Sequence, residues 1–155
     1  MDATRAFLDG VRRVAVEWEI ADLSVVFDAD ASAPDSPDAR MLSDLVGEVL
    51  TGLRTAWLGV DAPAVLLLDN LTPLGRYDPT LRLVVDLAER ARRGGRDGNP
   101  RTVVLLCAAT DARRPPRIGG QPVVLLGREE WVVADPGWGT GVEPRAAVAA
   151  SGGAA

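Results

Sequence analysis

The chain has 155 residues, of which 47% are hydrophobic, with a formal net charge of −5 and a single cysteine. This composition excludes a disordered protein and a disulfide framework, and it suits one domain around one core. A pI near 4.7 argues against broad nucleic-acid binding, which depends on neutralising phosphates.

Two residue types are missing altogether. Without histidine the commonest general base and transition-metal ligand is absent. Without lysine, all 17 basic residues are arginine, and neither a Walker A loop nor a Schiff-base mechanism is available within the chain. The opening MDATRAFLDG lacks the basic start and apolar centre of a signal peptide. Apolar runs such as 64–68 and 123–126 are far too short to span a bilayer. The simplest reading is a cytoplasmic protein without a membrane partner.

In chain order, Phe7, Leu8 and Val11 at helical spacing predict an opening helix over Thr4–Arg13. From Val14 to Ile20 apolar and polar residues alternate, so that stretch reads either as a half-buried strand or as the same helix running on to Ala21. Leu23–Phe27 (LSVVF) reads as the first strand, ending in Asp28-Ala29-Asp30. Ser36-Pro37-Asp38 is a helix start: a capping hydroxyl, proline in the first turn, then an acid at the positive helix end. Leu42, Leu45, Val46, Val49, Leu50, Leu53 and Trp57 then form one apolar stripe, closed by Gly59.

The unbroken run Ala64–Leu68 reads as a strand buried on both faces, as at the centre of a parallel sheet. It ends at Asp69-Asn70 and is bounded by Pro73-Leu74-Gly75. Asp78-Pro79 repeats the cap-plus-proline signal for a helix over 79–93, and Gly94-Gly95 stop it. Thr102–Cys107 (TVVLLC) is the next apolar strand, Gly119-Gly120 a turn and 122–126 a shorter strand. Gly127–Trp131 reads as a helical turn. The whole predicts a three-layer α/β domain over 1–135, Rossmann-like but without a phosphate-binding loop. Its mainly parallel sheet has about four strands, near 23–28, 64–69, 102–107 and 122–126, covered by helices at 37–58 and 79–93. Residues 136–155, rich in Gly and Ala, read as a disordered tail.

Several groups carry a chemical reading. If Asp28, Asp30 and Asp69 all end strands at one sheet edge, three carboxylates converge where Mg²⁺ can bind. The opposing reading is that Asp is common at strand ends because it caps backbone amides. Leu66-Leu67-Leu68-Asp69 also has the form of a Walker B strand, a weak motif without its lysine loop. Arg90, Arg92, Arg93, Arg96 and Arg101 gather around a helix C-terminus, where cations complement the helix dipole. Cys107 reads as a small core residue, since no histidine exists to activate it. Trp18, Trp57 and Trp131 read as core or rim packing, and Trp138, in a Pro-Gly setting, as an exposed interaction residue.

Residues 65–131 also carry a resemblance. An apolar strand ends in Asp69-Asn70-Leu71, Leu74-Gly75-Arg76-Tyr77-Asp78 follows, then a Leu/Ala-rich helix. A Val-Val-Leu-Leu strand, the turn Pro115-Pro116-Arg117-Ile118-Gly119-Gly120-Gln121-Pro122-Val123 and Glu129-Glu130-Trp131 close it. This segment resembles a C-terminal part of the large multidomain proteins, the kinase member above all, of actinobacterial phage growth limitation (BREX-type) defence clusters. The glycine-rich loop, lysine and His-Arg-Asp loop of that kinase chemistry are missing here, so no catalytic residue is carried over. The resemblance implies an accessory module that docks to other defence proteins.

The leading expectation is therefore a non-enzymatic interaction or regulatory module that needs no cofactor. Its partner is another protein, a defence-system component, met through Leu74, Arg76, Tyr77 and Trp138. The alternative is a Mg²⁺-dependent phosphohydrolase or degenerate nucleotide-binding domain working through Asp28, Asp30 and Asp69.

Overall fold

Ser36, Pro37 and Asp38 start the longest helix as their chemistry requires. In the computed structural model, which describes residues 1–59, 61–93, 100–108, 111, 113–126 and 130–134, helix α3 spans Pro37–Leu58. The Ser36 hydroxyl accepts from the Ala39 amide at 3.0 Å, and Asp38 stands in the first turn. Its stripe Leu45, Val46, Val49, Leu53 and Trp57 is buried and forms the spine of the core.

Helix α1, Ala3–Glu17, packs along α3. The alternation of Val14–Ile20 thus resolves as helix up to Glu17. Its end is a Schellman turn: the Ile20 amide donates to the Ala15 carbonyl at 2.8 Å and the Glu19 amide to Val16 at 3.1 Å. Glu19 sits at φ 56° there, a left-handed position that favours glycine.

Helix α2, Ser24–Ala31, corrects the sequence reading most sharply, since LSVVF is not a strand. Val26 and Ala29 are buried while Val25 and Phe27 are exposed, so a helical period and not an alternating one meets the core. The Asp22 carboxylate accepts from the Ser24 amide at 2.9 Å. That local bond and the packing of Val26 and Ala29 outweigh the strand preference of two adjacent valines.

Strand β1, Val65–Leu68, pairs in parallel with β2, Thr102–Leu105, Val65 opposite Thr102 and Leu68 opposite Leu105. Between them lie α4, Thr72–Tyr77, a helix the sequence reading does not place, and α5, Arg82–Arg92. Asp78 does act as a cap, but the helix it serves starts later than 79. Its buried carboxylate accepts from the Leu83 amide at 2.9 Å and the Thr80 hydroxyl at 3.1 Å, and Leu81 enters the helix at φ 49°. Asp86 on α5 is bound by Arg54 of α3 and by Arg82, which ties α5 to α3.

The shorter strand expected at 122–126 belongs elsewhere. Gln121–Pro122 (β4) pairs antiparallel with Arg117–Ile118 (β3) in a separate hairpin. Its turn is Gly119-Gly120, with φ 55° and 85°, as a tight hairpin of this hand requires. The hairpin rests on α4: a Cβ on Gly75 would lie 2.2 Å from the Ile118 carbonyl oxygen and 2.6 Å from the Gly119 Cα. Two pieces of the resemblance, LGRY and IGG, are thereby in contact.

The three-layer, four-stranded Rossmann-like sheet is therefore overturned. The described residues are about 52% helical, with a two-stranded parallel sheet and a separate two-stranded hairpin. The reason is supply of layers: the described helices α1 to α5 gather around one core, and none of them covers the second face of the parallel sheet. All of this lies in the unit 1–124. In the second unit, 125–155, the Leu126 amide donates to the Glu130 carboxylate at 2.7 Å and Val132 is exposed. Of the helical turn read over Gly127–Trp131, 127–129 lie outside the described residues, as do Arg96, Trp138 and the 136–155 tail.

Candidate functional site

Three places hold the residues that the sequence singles out. The first joins α1, α2 and α4. Asp30, near the end of α2, receives the Arg76 guanidinium at 2.6 Å and the Tyr77 hydroxyl at 2.9 Å. The Tyr77 ring stacks on Phe7 of α1, centroids 5.2 Å apart and planes 4° from parallel, with the Arg76 guanidinium carbon 5.4 Å from its centre. Burial, and after it the bond to Asp30, pushes the Tyr77 phenol above its usual range. Both oxygens of Asp30 are thus engaged in holding a short helix down. Beside them a depression of about 50 Å³ is lined by Phe7, Leu8, Val11, Phe27 and Leu42 among others. Substrate pockets are typically several hundred Å³, so this one admits a few atoms at most.

Of the interaction residues named from sequence, Leu74 is fully buried and serves the core. Arg76 is exposed but ion-paired, Tyr77 is half-buried, and Trp138 lies outside the described residues.

The second place is the carboxyl end of β1. Met1–Ala3 run beside it as a third, minimal strand: the Asp69 amide donates to the Met1 carbonyl at 3.1 Å and the Ala3 amide to the Asp69 carbonyl at 2.9 Å. Asn70 turns the chain at φ 51°. Its carbonyl accepts from the Thr4 hydroxyl at 2.7 Å, and its amide donates to Asp2 at 3.3 Å. Asp2 caps α1, and the Arg5 amide it accepts from lowers its carboxyl below the usual range. Asp69 is half-exposed as a side chain, yet its Oδ1 is shielded and has no hydrogen-bond partner, the Met1 ammonium standing 3.9 Å away. Cys107, just beyond β2, is half-buried against the core, and burial raises its thiol, as befits a packing residue.

The premise of the Mg²⁺ reading was that Asp28, Asp30 and Asp69 share a sheet edge. Asp28 and Asp30 instead lie on α2, Asp30 already bound to Arg76 and Tyr77 and Asp28 exposed, while Asp69 ends β1. Among the described residues no three His, Cys, Asp or Glu side chains stand together as a metal site.

The third place was missed from sequence. Side chains alternate along a strand, and here Leu66 and Leu68 are buried while Val65 and Leu67 are 62% and 42% exposed. On the paired strand Val104 and Leu106 are 38% and 37% exposed. The Leu106 amide continues the ladder to the Leu68 carbonyl at 2.8 Å. Four aliphatic side chains therefore line the outer face of the parallel sheet. The signal was present in the sequence, since both strands are apolar on both faces, but it reads there as burial on both.

No described helix is long and apolar enough to cross a membrane. The chain matches no family model, and no curated protein or solved structure is significantly similar to it.

Proposed function

We propose that this chain is a non-enzymatic docking module whose outer sheet face receives another protein. One observation carries the reading: Val65, Leu67, Val104 and Leu106 are exposed on a parallel sheet. Parallel sheets are almost always covered on both faces, and contiguous apolar patches on monomers mark interaction sites. The Asp30–Arg76–Tyr77 cluster has a different task, anchoring α2, and the depression beside it is too small for a metabolite. The resemblance to phage growth limitation proteins supplies the setting, in which the partner is another component of the defence system.

The test is site-specific photo-crosslinking in the native host. A benzophenone side chain at Val104 should give one discrete adduct, lost when Leu67→Glu is added, while the same group at exposed Thr55 of α3 gives none. No adduct at position 104, or the same adducts from both positions, would sink the reading.

A further inference from the structure

We infer that this chain pairs with a second copy of itself along the free edge of β2, the two β2 strands running antiparallel about a two-fold axis at Val104. The inference concerns the edge of the sheet and not its outer face, and it stands apart from the docking reading above.

Backbone direction shows which groups are free. Successive residues of a paired strand aim their amides and carbonyls at opposite edges. The Thr102 amide donates to the Ala64 carbonyl at 3.2 Å and the Leu106 amide to the Leu68 carbonyl at 2.8 Å, so Thr102, Val104 and Leu106 turn their backbone groups to β1. Val103 and Leu105 therefore aim theirs away from it. No described strand lies on that side of β2, and no described backbone group bonds to Val103 or Leu105 there. Sheet edges that stay unpaired carry charges, prolines or bulges, whereas Thr102–Leu105 (TVVL) has none. The edge of β1 differs: Pro63 stands just before it, and Asp2 bridges its end at Asp69.

Symmetry selects the occupant. In an antiparallel pair, opposed residues whose groups face across exchange both hydrogen bonds, and the pairs between them exchange none. A two-fold axis at Val104 sets Val103 opposite Leu105 of the second copy, so every outward amide and carbonyl of the two residues is bonded. Val104 then faces its own mate across the axis. Arg101 falls opposite Cys107 of the second copy, so no like charges meet. The same strand supplies both sides, and the contact closes on itself. Opposed residues share a face of the sheet, so the exposed Val104 and Leu106 of both copies join one continuous outer surface.

The test follows the full chain, 16.3 kDa, by sedimentation equilibrium over a dilution series. It should reach twice that mass and dissociate on dilution. Val104 is 38% exposed and outside the core, and an unchanged circular dichroism spectrum verifies that its variants fold. Val104→Lys and Val104→Glu should each weaken the dimer about tenfold, since like charges then stand directly opposite, and mixing the two variants should restore it. Cα atoms of such a pair lie about 4.5 Å apart, within disulfide reach. Val104→Cys should therefore give a disulfide-linked dimer with oxidised glutathione, whereas the wild type, with Cys107 alone, and Val65→Cys should not. A chain that keeps the mass of one copy at every concentration overturns the inference and leaves docking intact. So does a dimer that survives Val104→Lys and gives no link through Val104→Cys. A dimer lost in Leu67→Glu but kept in Val104→Lys means that the outer faces meet, which overturns the docking reading as well. A self-adduct of the photo-probe at Val104 has twice the chain mass and is thereby told apart from an adduct to another protein.

Discussion

The two faces of β1 carry almost the same chemistry and meet opposite fates. Leu66 and Leu68 are 1% and 0% exposed, whereas Val65 and Leu67, one residue away in each case, are 62% and 42% exposed. Intrinsic hydrophobicity does not separate them. What differs is the layer opposite: α1, α3 and α5 surround the core on one side, and no described helix lies on the other. An apolar residue without a covering element is thus a statement about something outside the fold.

The largest expected effect breaks this comparison directly. Leu68→Ala should lower unfolding stability by about 2–5 kcal/mol in a denaturant titration, the cost of a cavity in a packed core. Leu67→Ala should change it by roughly 0.5 kcal/mol or less, as surface substitutions do. Similar losses for both would show that the outer face is covered in the isolated chain.

Gly75→Ala tests whether the hairpin holds its place on α4. The new methyl meets backbone at Ile118 and Gly119, which cannot retreat as a side chain tip would. A loss of about 1–3 kcal/mol is expected from such overpacking. Gly47→Ala on α3, where the added methyl meets nothing within 4 Å, should instead stabilise by about 0.5–1 kcal/mol through better helix propensity.

A smaller effect comes from α2, which polar contacts hold to α4. Tyr77 is the single tyrosine, so its ionisation can be followed by ultraviolet absorbance without overlap. The midpoint should lie above the usual value of about 10 for a free phenol. Asp30→Asn should bring it part of the way back, since burial is the larger cause. Because the folded phenol holds its proton more tightly than the unfolded one, its contribution to stability is complete below pH 10 and is lost as pH rises through the folded value. Tyr77→Phe should therefore flatten the alkaline limb of a stability–pH curve. A midpoint unmoved by Asp30→Asn would mean that the α2 anchor is not formed in solution.

The smallest change sharpens the end of α1. Glu19→Gly should stabilise by about 0.5–1 kcal/mol, because glycine adopts the left-handed Schellman position without steric cost. Destabilisation would place that turn elsewhere.

Much of this architecture is legible before any coordinates. Ser36-Pro37-Asp38 and the stripe from Leu45 to Trp57 determine α3 locally, since caps and a 3.6-residue period need no tertiary help. Gly119-Gly120 likewise determines the hairpin turn, and the runs 64–68 and 102–107 the parallel pair. The neighbourhood of the site is less readable. Asp30 lies 46 and 47 residues from the two side chains that bind it, and no spacing rule links groups so far apart.

Tertiary structure alone decided three things. It made LSVVF a helix, because Val26 and Ala29 fit the α3 surface and the valine preference for strand is worth less than that burial. It turned Asp30 from a metal-ligand candidate into the anchor of α2. It also put none of the described helices on the second face of the sheet. The sequence by itself determined that both faces are apolar, for that is a property of residue order. Whether a face is covered depends on how many helices remain after the core has taken its share, and a single strand's sequence does not contain that number.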